Sequence, residues 1–320
     1  MLKDEMNIKD CFRLGISLWP VRSDIVACLI GDPGIGKTQF VISFRDWVRE
    51  NTQYKNCKIV EIITSQILPN EVSGLAMPNG RSKSMEIFDH KRLASLEDGD
   101  ILFFDELLQG SPQVLSACLT LIQERRMMSG KKLPDIMIIA AANPTVSPGM
   151  IPAPVRDRFF FVPVKFDAVE WRDYITETRG VTPTQTLIKT IEKSLSSKEQ
   201  VWNMFTPRDA TKLIDWFLNK PIEITDSEWA WQVRTMYSDT LVADEIVKTC
   251  KSRQTQRTIV KILDEFHEFH GTSEAWKSSD KRKEIFITPE NKLEEFIESF
   301  ENSEELIKLL SQISYNKIEY

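Results

Sequence analysis

Gly31-Asp32-Pro33-Gly34-Ile35-Gly36-Lys37-Thr38 is the stretch whose reading decides the fold. It follows the pattern G-x-x-x-x-G-K-T, in which each residue type has a physical task. The glycines let the backbone wrap closely enough for its N–H groups to point at phosphate oxygens. Lys37 sets a positive charge against the β and γ phosphates. The Thr38 hydroxyl suits a magnesium ion that bridges them.

The flanks agree with that reading. Ile25-Val26-Ala27-Cys28-Leu29-Ile30 is a short apolar run rich in β-branched residues, as a buried parallel strand requires. Downstream, Phe40, Val41, Phe44, Trp47 and Val48 recur at helical spacing. Strand, glycine loop and helix thus stand in the order that puts a polyphosphate at a helix N-terminus. The candidate nucleotide contacts are Asp32, Pro33, Gly34, Ile35, Gly36, Lys37, Thr38 and Gln39.

Further strands alternate with helices along the chain. Ile59-Val60-Glu61-Ile62-Ile63, Ile101-Leu102-Phe103-Phe104, Ile136 to Ala141 and Phe159 to Val164 read as strands, and 112–126 reads as a helix. Residues 1–23 read as a helix and loop, and 64–98, broken by Pro69, Gly74, Pro78 and Gly80, as irregular. Met127 to Pro134 encloses Ser129-Gly130, a hairpin signal. The alternation predicts an α/β fold: a P-loop domain with a five-stranded parallel sheet flanked by helices. From about residue 165 helical patterns take over, with Trp171, Trp202, Trp216, Trp229 and Trp231 among them. The expected division is an ATPase domain over 1–164, a helical domain over 165–255 and an acidic helical extension over 256–320.

Two strand tips carry acids and an amide. Asp105-Glu106 ends the third strand at the carboxyl edge of the sheet, where ligands of such folds bind. Asp105 can hold magnesium through its water shell, and Glu106 can take a proton from a water attacking the γ-phosphate. Asn143, at the tip of the next strand, can hydrogen-bond that phosphate or that water. Arg156 and Arg158 precede the fifth strand, and Arg208 follows Thr206-Pro207 at a helix start. A guanidinium reaching the γ-phosphate neutralises charge in the transition state.

Bulk properties narrow the function. At 320 residues two or three domains are expected. No apolar run is long enough to span a bilayer, and no signal-like block follows Met1-Leu2-Lys3-Asp4-Glu5, so the expectation is a cytoplasmic protein without a membrane role. Five scattered cysteines form no C-x-x-C pair, and His267 and His270 have no third ligand nearby, so neither a disulfide framework nor a zinc site is expected. Residues 261–320 hold 8 Lys/Arg against 14 Asp/Glu, which is the entire net charge of −6. The rest is neutral, which disfavours nucleic acid as a partner. The one locally basic element is the hairpin with Arg125, Arg126, Lys131 and Lys132.

In order along the chain, phosphate loop, Asp-Glu, Asn, Arg-Phe and Pro-Arg resemble the AAA+ ATPases, and the local words resemble the MoxR branch. Pro69-Asn70-Glu71-Val72-Ser73-Gly74 resembles the segment before that branch's helix-2 insert, which would fall near 74–88. Ser111-Pro112-Gln113 through Glu124-Arg125-Arg126, with Gly130-Lys131 and Leu133-Pro134, resembles its long helix and hairpin. Asn143-Pro144 resembles sensor-1, Asp157-Arg158-Phe159 the arginine-finger segment and Thr206-Pro207-Arg208 sensor-2. Leu108-Gln109 stands where the family commonly has Asn-Arg.

The resemblance implies ATP and Mg2+ bound between the subunits of a homo-oligomeric ring, usually a hexamer. Lys37, Thr38, Asp105, Glu106 and Asn143 would come from one subunit and Arg158 from its neighbour, with Arg208 from the nucleotide-bearing subunit's lid. It also implies a client protein, often with a von Willebrand factor A-type partner. A DNA-directed AAA+ motor and a non-hydrolysing ATP switch are the alternatives.

Overall fold

The computed structural model describes residues 5–79, 84–144, 153–197, 204–221, 224–237 and 240–269, with 274, 277 and 279–285. It divides into two compact units, Met1–Asp167 and Ala168–Tyr320.

In chain order the first unit runs through α1 (Ile8–Leu18), β1 (Ala27–Ile30), α2 (Lys37–Asn51), β2 (Ile59–Ile63) and α3 (Asn70–Ser73). A hairpin follows, β3 (Leu75–Asn79) and β4 (Ser84–Phe88), then α4 (Lys91–Ala94) and β5 (Ile101–Asp105). The unit closes with α5 (Pro112–Glu124), β6 (Met137–Ala142), α6 (Ala153–Arg156) and β7 (Phe160–Pro163). Five strands form one parallel sheet in the order β2-β5-β6-β1-β7.

That order explains the strand compositions. β6 lies inside the sheet and is buried at every position, as its run Met-Ile-Ile-Ala-Ala-Ala requires. The first four residues of β5 are equally buried, while its last, Asp105, reaches the carboxyl edge. The edge strand β2 alternates instead, with Glu61 turned outward, and on the other edge strand, β7, Phe160 is exposed while Val162 is buried.

The fifth strand begins at Phe160, which is 64 % exposed, so the apolar run from Phe159 overstates its burial. β1 begins at Ala27, because the Ile25 N–H still closes a turn onto the Val21 carbonyl. The stretch 64–98 is not irregular: it holds α3, α4 and the antiparallel hairpin. Its elements are four or five residues long and its strand faces are exposed, too little for periodicity to register.

Helix α2 buries Phe40, Val41, Phe44 and Val48. Its aromatic face meets Phe12 of α1, with Phe44 5.9 Å from Phe12 and stacked on Trp47 at 5.6 Å. Gly15 of α1 permits the approach, since a Cβ there would lie 2.9 Å from the Phe44 ring. Burying a side chain of this size contributes roughly 2–3 kcal/mol. On the same unit, α5 turns Val114, Cys118, Leu121 and Ile122 inward to the core.

The second unit is helical: α7 (Ala168–Arg179), α8 (Gln185–Ser196), α9 (Pro207–Leu218), α10 (Asp226–Met236), α11 (Thr240–Phe269) and α12 (Asp280–Glu284). Thr206 and Thr225 each close a capping box, with Asp209 and Glu228 respectively. The fully buried Trp229 is the centre of its core, 4.8 Å from Phe217 and 5.3 Å from Trp216. Trp202, His270 and the apolar residues from Phe286 to Leu310 lie outside the described residues, as does the His267 side chain. No described helix is long and apolar enough to cross a membrane.

Candidate nucleotide site

All five parallel strands end at one edge, and Lys37, Thr38, Asp105, Glu106 and Asn143 stand there. Gly31 leaves β1 where a side chain has no room: a Cβ would fall 2.3 Å from the Val164 carbonyl oxygen. Gly34 and Gly36 take φ of 77° and 107°, the left-handed region that favours glycine. Gly36 ends the loop and is the N-cap of α2, so the helix starts at Lys37, three residues before the first of its apolar positions, Phe40.

Lys37 is 7 % exposed, and its ammonium is fully engaged. Nζ donates to the Gly31 carbonyl at 2.5 Å, the Asp32 carbonyl at 2.8 Å and Asn143 Oδ1 at 3.0 Å. The last contact spans 106 residues and joins the start of α2 to the tip of β6. The Thr38 hydroxyl donates to Asp105 Oδ2 at 3.3 Å, joining α2 to the tip of β5. Burial pushes the Asp32 carboxyl above its ordinary value, while Lys37 pulls it down and Glu5 adds to the rise. The Ile35 side chain is buried, which leaves its backbone as its part of the loop. Pro33 and Gln39 are exposed.

Glu106 follows directly, at φ 53° and ψ 34°. A non-glycine residue in this region is uncommon and clusters at functional sites. Two neighbours hold it there: the Thr64 hydroxyl donates to its carbonyl at 2.7 Å, and the Ser65 hydroxyl donates to its carboxylate. Thr64 and Ser65 follow β2, whose Ile63 pairs with Asp105. Sequence reasoning passed over both, although a polar side chain directly after an apolar strand is the same signal that singled out Asn143.

The donor set suits magnesium in one way only. Among the described residues no group of three His, Cys, Asp or Glu could hold a metal ion unaided. One hydroxyl beside one carboxylate fits magnesium, which usually keeps several waters and shares its remaining positions with substrate phosphates.

Arg156 and Arg158 are not at this edge. They precede β7, whose Phe160 pairs with Ala27 at the start of β1, so they stand at the opposite edge of the sheet. There they line a cleft of about 640 Å³ with Asp24, Gln123, Arg125 and Phe160. Arg208 is exposed on the first turn of α9 in the second unit.

The basic hairpin is smaller than its sequence implies. Arg126 pairs with Lys132 in a bridge, and Arg126, Lys131 and Lys132 are exposed. Arg125 turns inward instead, donating to the Arg22 carbonyl at 2.9 Å and the Ile136 carbonyl at 3.2 Å. The hairpin tip is tied to the residue that follows β4 by the Ser129 hydroxyl, which donates to Asp89 at 2.5 Å. All five cysteines are buried, and burial pushes the Cys118 and Cys250 thiols up to about 12, so neither is a reactive thiolate.

Residues 27–159 match the AAA domain family, dynein-related subfamily. Among solved structures, the chain is similar to the RuvB Holliday junction branch migration motor of Thermotoga maritima, at 18 % identity and a TM-score of 0.44, over 88 % of this chain and 85 % of that one. A RuvB variant from the same organism matches at 16 % identity and a TM-score of 0.45, over 82 % of this chain and 80 % of that one.

Proposed function

We propose that this chain is a Mg-ATP-hydrolysing AAA+ motor of the MoxR type, working as an oligomeric ring on a partner protein. The observation that carries the reading is the division of polar groups between the two edges of one sheet. Lys37, Thr38, Asp105, Glu106 and Asn143 gather at the carboxyl edge, while Arg158 stands at the other. A guanidinium there cannot serve the phosphate loop of its own sheet, but it suits the loop of an adjacent copy.

In this reading Lys37 leaves the Gly31 and Asp32 carbonyls for the β and γ phosphates, and the loop's N–H groups take the remaining oxygens. Magnesium would be held by Thr38 and, through water, Asp105, and it supplies neutralisation of phosphate charge. Glu106 accepts the proton of the attacking water, and Asn143 fixes that water or the γ-phosphate. The neighbour's Arg158 stabilises the charge that develops, with Arg156 beside it. Residues 165–255 act as the lid that brings Arg208 to the nucleotide, followed by the acidic extension over 256–320. Glu106 also separates a hydrolase from a passive ATP switch, which needs no water-activating acid.

The MoxR assignment is supported by the β3–β4 hairpin, which falls between α3 and α4 where the resemblance puts the helix-2 insert. Its Leu75, Met77, Met85 and Phe88 are each about half exposed or more. Apolar groups on a projecting hairpin suit a polypeptide client, with or without a von Willebrand factor A-type partner. The inward turn of Arg125 removes one of four cations from the alternative DNA-directed surface.

Subunit mixing tests the reading. Lys37→Ala should lose ATP binding. Arg158→Ala should keep binding and lose about 10³–10⁵ in turnover. Mixed rings of the two should recover activity, because the Lys37→Ala copy lends its Arg158 to an intact loop. No recovery in rings shown by native mass spectrometry to be mixed would reject a finger acting across an interface.

A further inference from the structure

Arg158 is already built into a seat. Its Nε donates to Gln123 Oε1 at 2.9 Å, one terminal nitrogen donates to the same oxygen, and the other donates to the Pro154 carbonyl at 2.8 Å. Three of the five guanidinium N–H groups are thereby committed, and two remain for another acceptor. Among the described residues Arg158 forms no ion pair, and Arg156 has neither an ion pair nor a hydrogen bond through its side chain. The two arginines of this segment therefore differ: one is oriented and the other is not.

Both sides of the seat are rigid. Gln123 lies on the last turn of α5, directly after the buried Leu121 and Ile122. That helix end is pinned by Arg125, which is locked to the Arg22 and Ile136 carbonyls. Arg158 lies between the buried Val155 and Phe159. A side chain held from both directions on packed elements is pre-organised.

From this geometry we propose that Gln123 is the positioning residue of the Arg158 finger. Its carbonyl fixes the guanidinium in the lining of the cleft. Being neutral, the carboxamide does so without cancelling the charge that the transition state needs. A carboxylate at the same place would hold the guanidinium as firmly and offset that charge. The inference rests on the finger reading of Arg158 above, and it adds that Arg158 acts at full strength only when Gln123 orients it.

Gln123 is exposed and helical, so Gln123→Ala removes the acceptor without harming the helix. In the full-length ring, Gln123→Ala is expected to lower kcat about 10-fold, the scale of a modest misplacement, with KM and ring mass unchanged. Gln123→Glu is expected to lower kcat as well, although the seat is kept. On an Arg158→Ala background, Gln123→Ala should cause no further loss, since its effect passes through the guanidinium. Unchanged kcat in Gln123→Ala, a change in KM alone, or an additive loss on the Arg158→Ala background would each overturn the inference. Full turnover by Arg158→Ala alone would instead remove the finger reading itself.

Discussion

Replacing Gly31 by alanine asks whether the loop is held by space or by chain conformation. The added Cβ would sit 2.3 Å from the Val164 carbonyl oxygen and 2.6 Å from Ile35 Cδ1. Ile35 can rotate, but Val164 cannot move freely, because its own N–H bonds the Ile30 carbonyl at 2.6 Å. Real Cβ contacts essentially never fall below 3.0 Å, so the β1–β7 junction must open by roughly 0.7 Å. Overpacking of this kind costs about 2 kcal/mol. For a unit of this size that lowers Tm by about 4–8 °C.

The same shift displaces the Gly31 carbonyl on which Lys37 rests, so the loop no longer presents its lysine and N–H groups in register. ATP affinity is expected to fall about 10-fold. Gly130→Ala is the control: its φ is 88°, but nothing lies within 4 Å of the new Cβ. It should cost about 1 kcal/mol of backbone strain and leave ATP affinity unchanged. Scanning calorimetry and titration with a fluorescent ATP analogue read both variants. If Gly31→Ala melts within 1 °C of the parent and binds ATP equally well, close approach is not what the glycine provides.

Two other substitutions probe the same unit. Glu106→Gln should retain ATP binding and lose about 10²–10⁴ in kcat, the scale of a general base; full turnover would discard Glu106 in that role. The ATP-locked form should also retain the client in a pull-down from lysate, identified as protein or nucleic acid by mass spectrometry and nuclease treatment. Arg22→Met removes a buried guanidinium that donates to the Trp19 carbonyl at 3.0 Å, to Tyr54 Oη at 2.9 Å and to Asp135, and lies 4.7 Å over the Trp19 ring. The Asp135 side chain is 47 % exposed, so its ion pair adds little, and the loss is mainly of charged hydrogen bonds. About 3 kcal/mol and a Tm lower by about 6–12 °C are expected, and a drop under 2 °C would mean that this network is slack.

The sheet interior was legible because buried parallel strands are written as continuous apolar runs, and β5 and β6 are such runs. The phosphate loop was legible because glycine and lysine spacing is local. The β3–β4 hairpin was not, since its side chains face outward and leave no periodic trace. Arg125 read as one of four surface cations, yet burial lowers its pKa and its charge is spent on backbone carbonyls, with Asp24 and Asp135 acting the other way.

The sequence by itself determined the strand–loop–helix around Lys37, the strand tips with their acids and amide, and the helical character of the described residues after Asp167. These follow from neighbours in the chain, where spacing and side-chain type act directly. Only the tertiary structure decided which tips meet, that Ser65 touches Glu106, that Gln123 seats Arg158, and that Arg158 faces away from Lys37. Those facts depend on the strand order β2-β5-β6-β1-β7, which is set by how whole helices and strands pack across the core rather than by any local pattern.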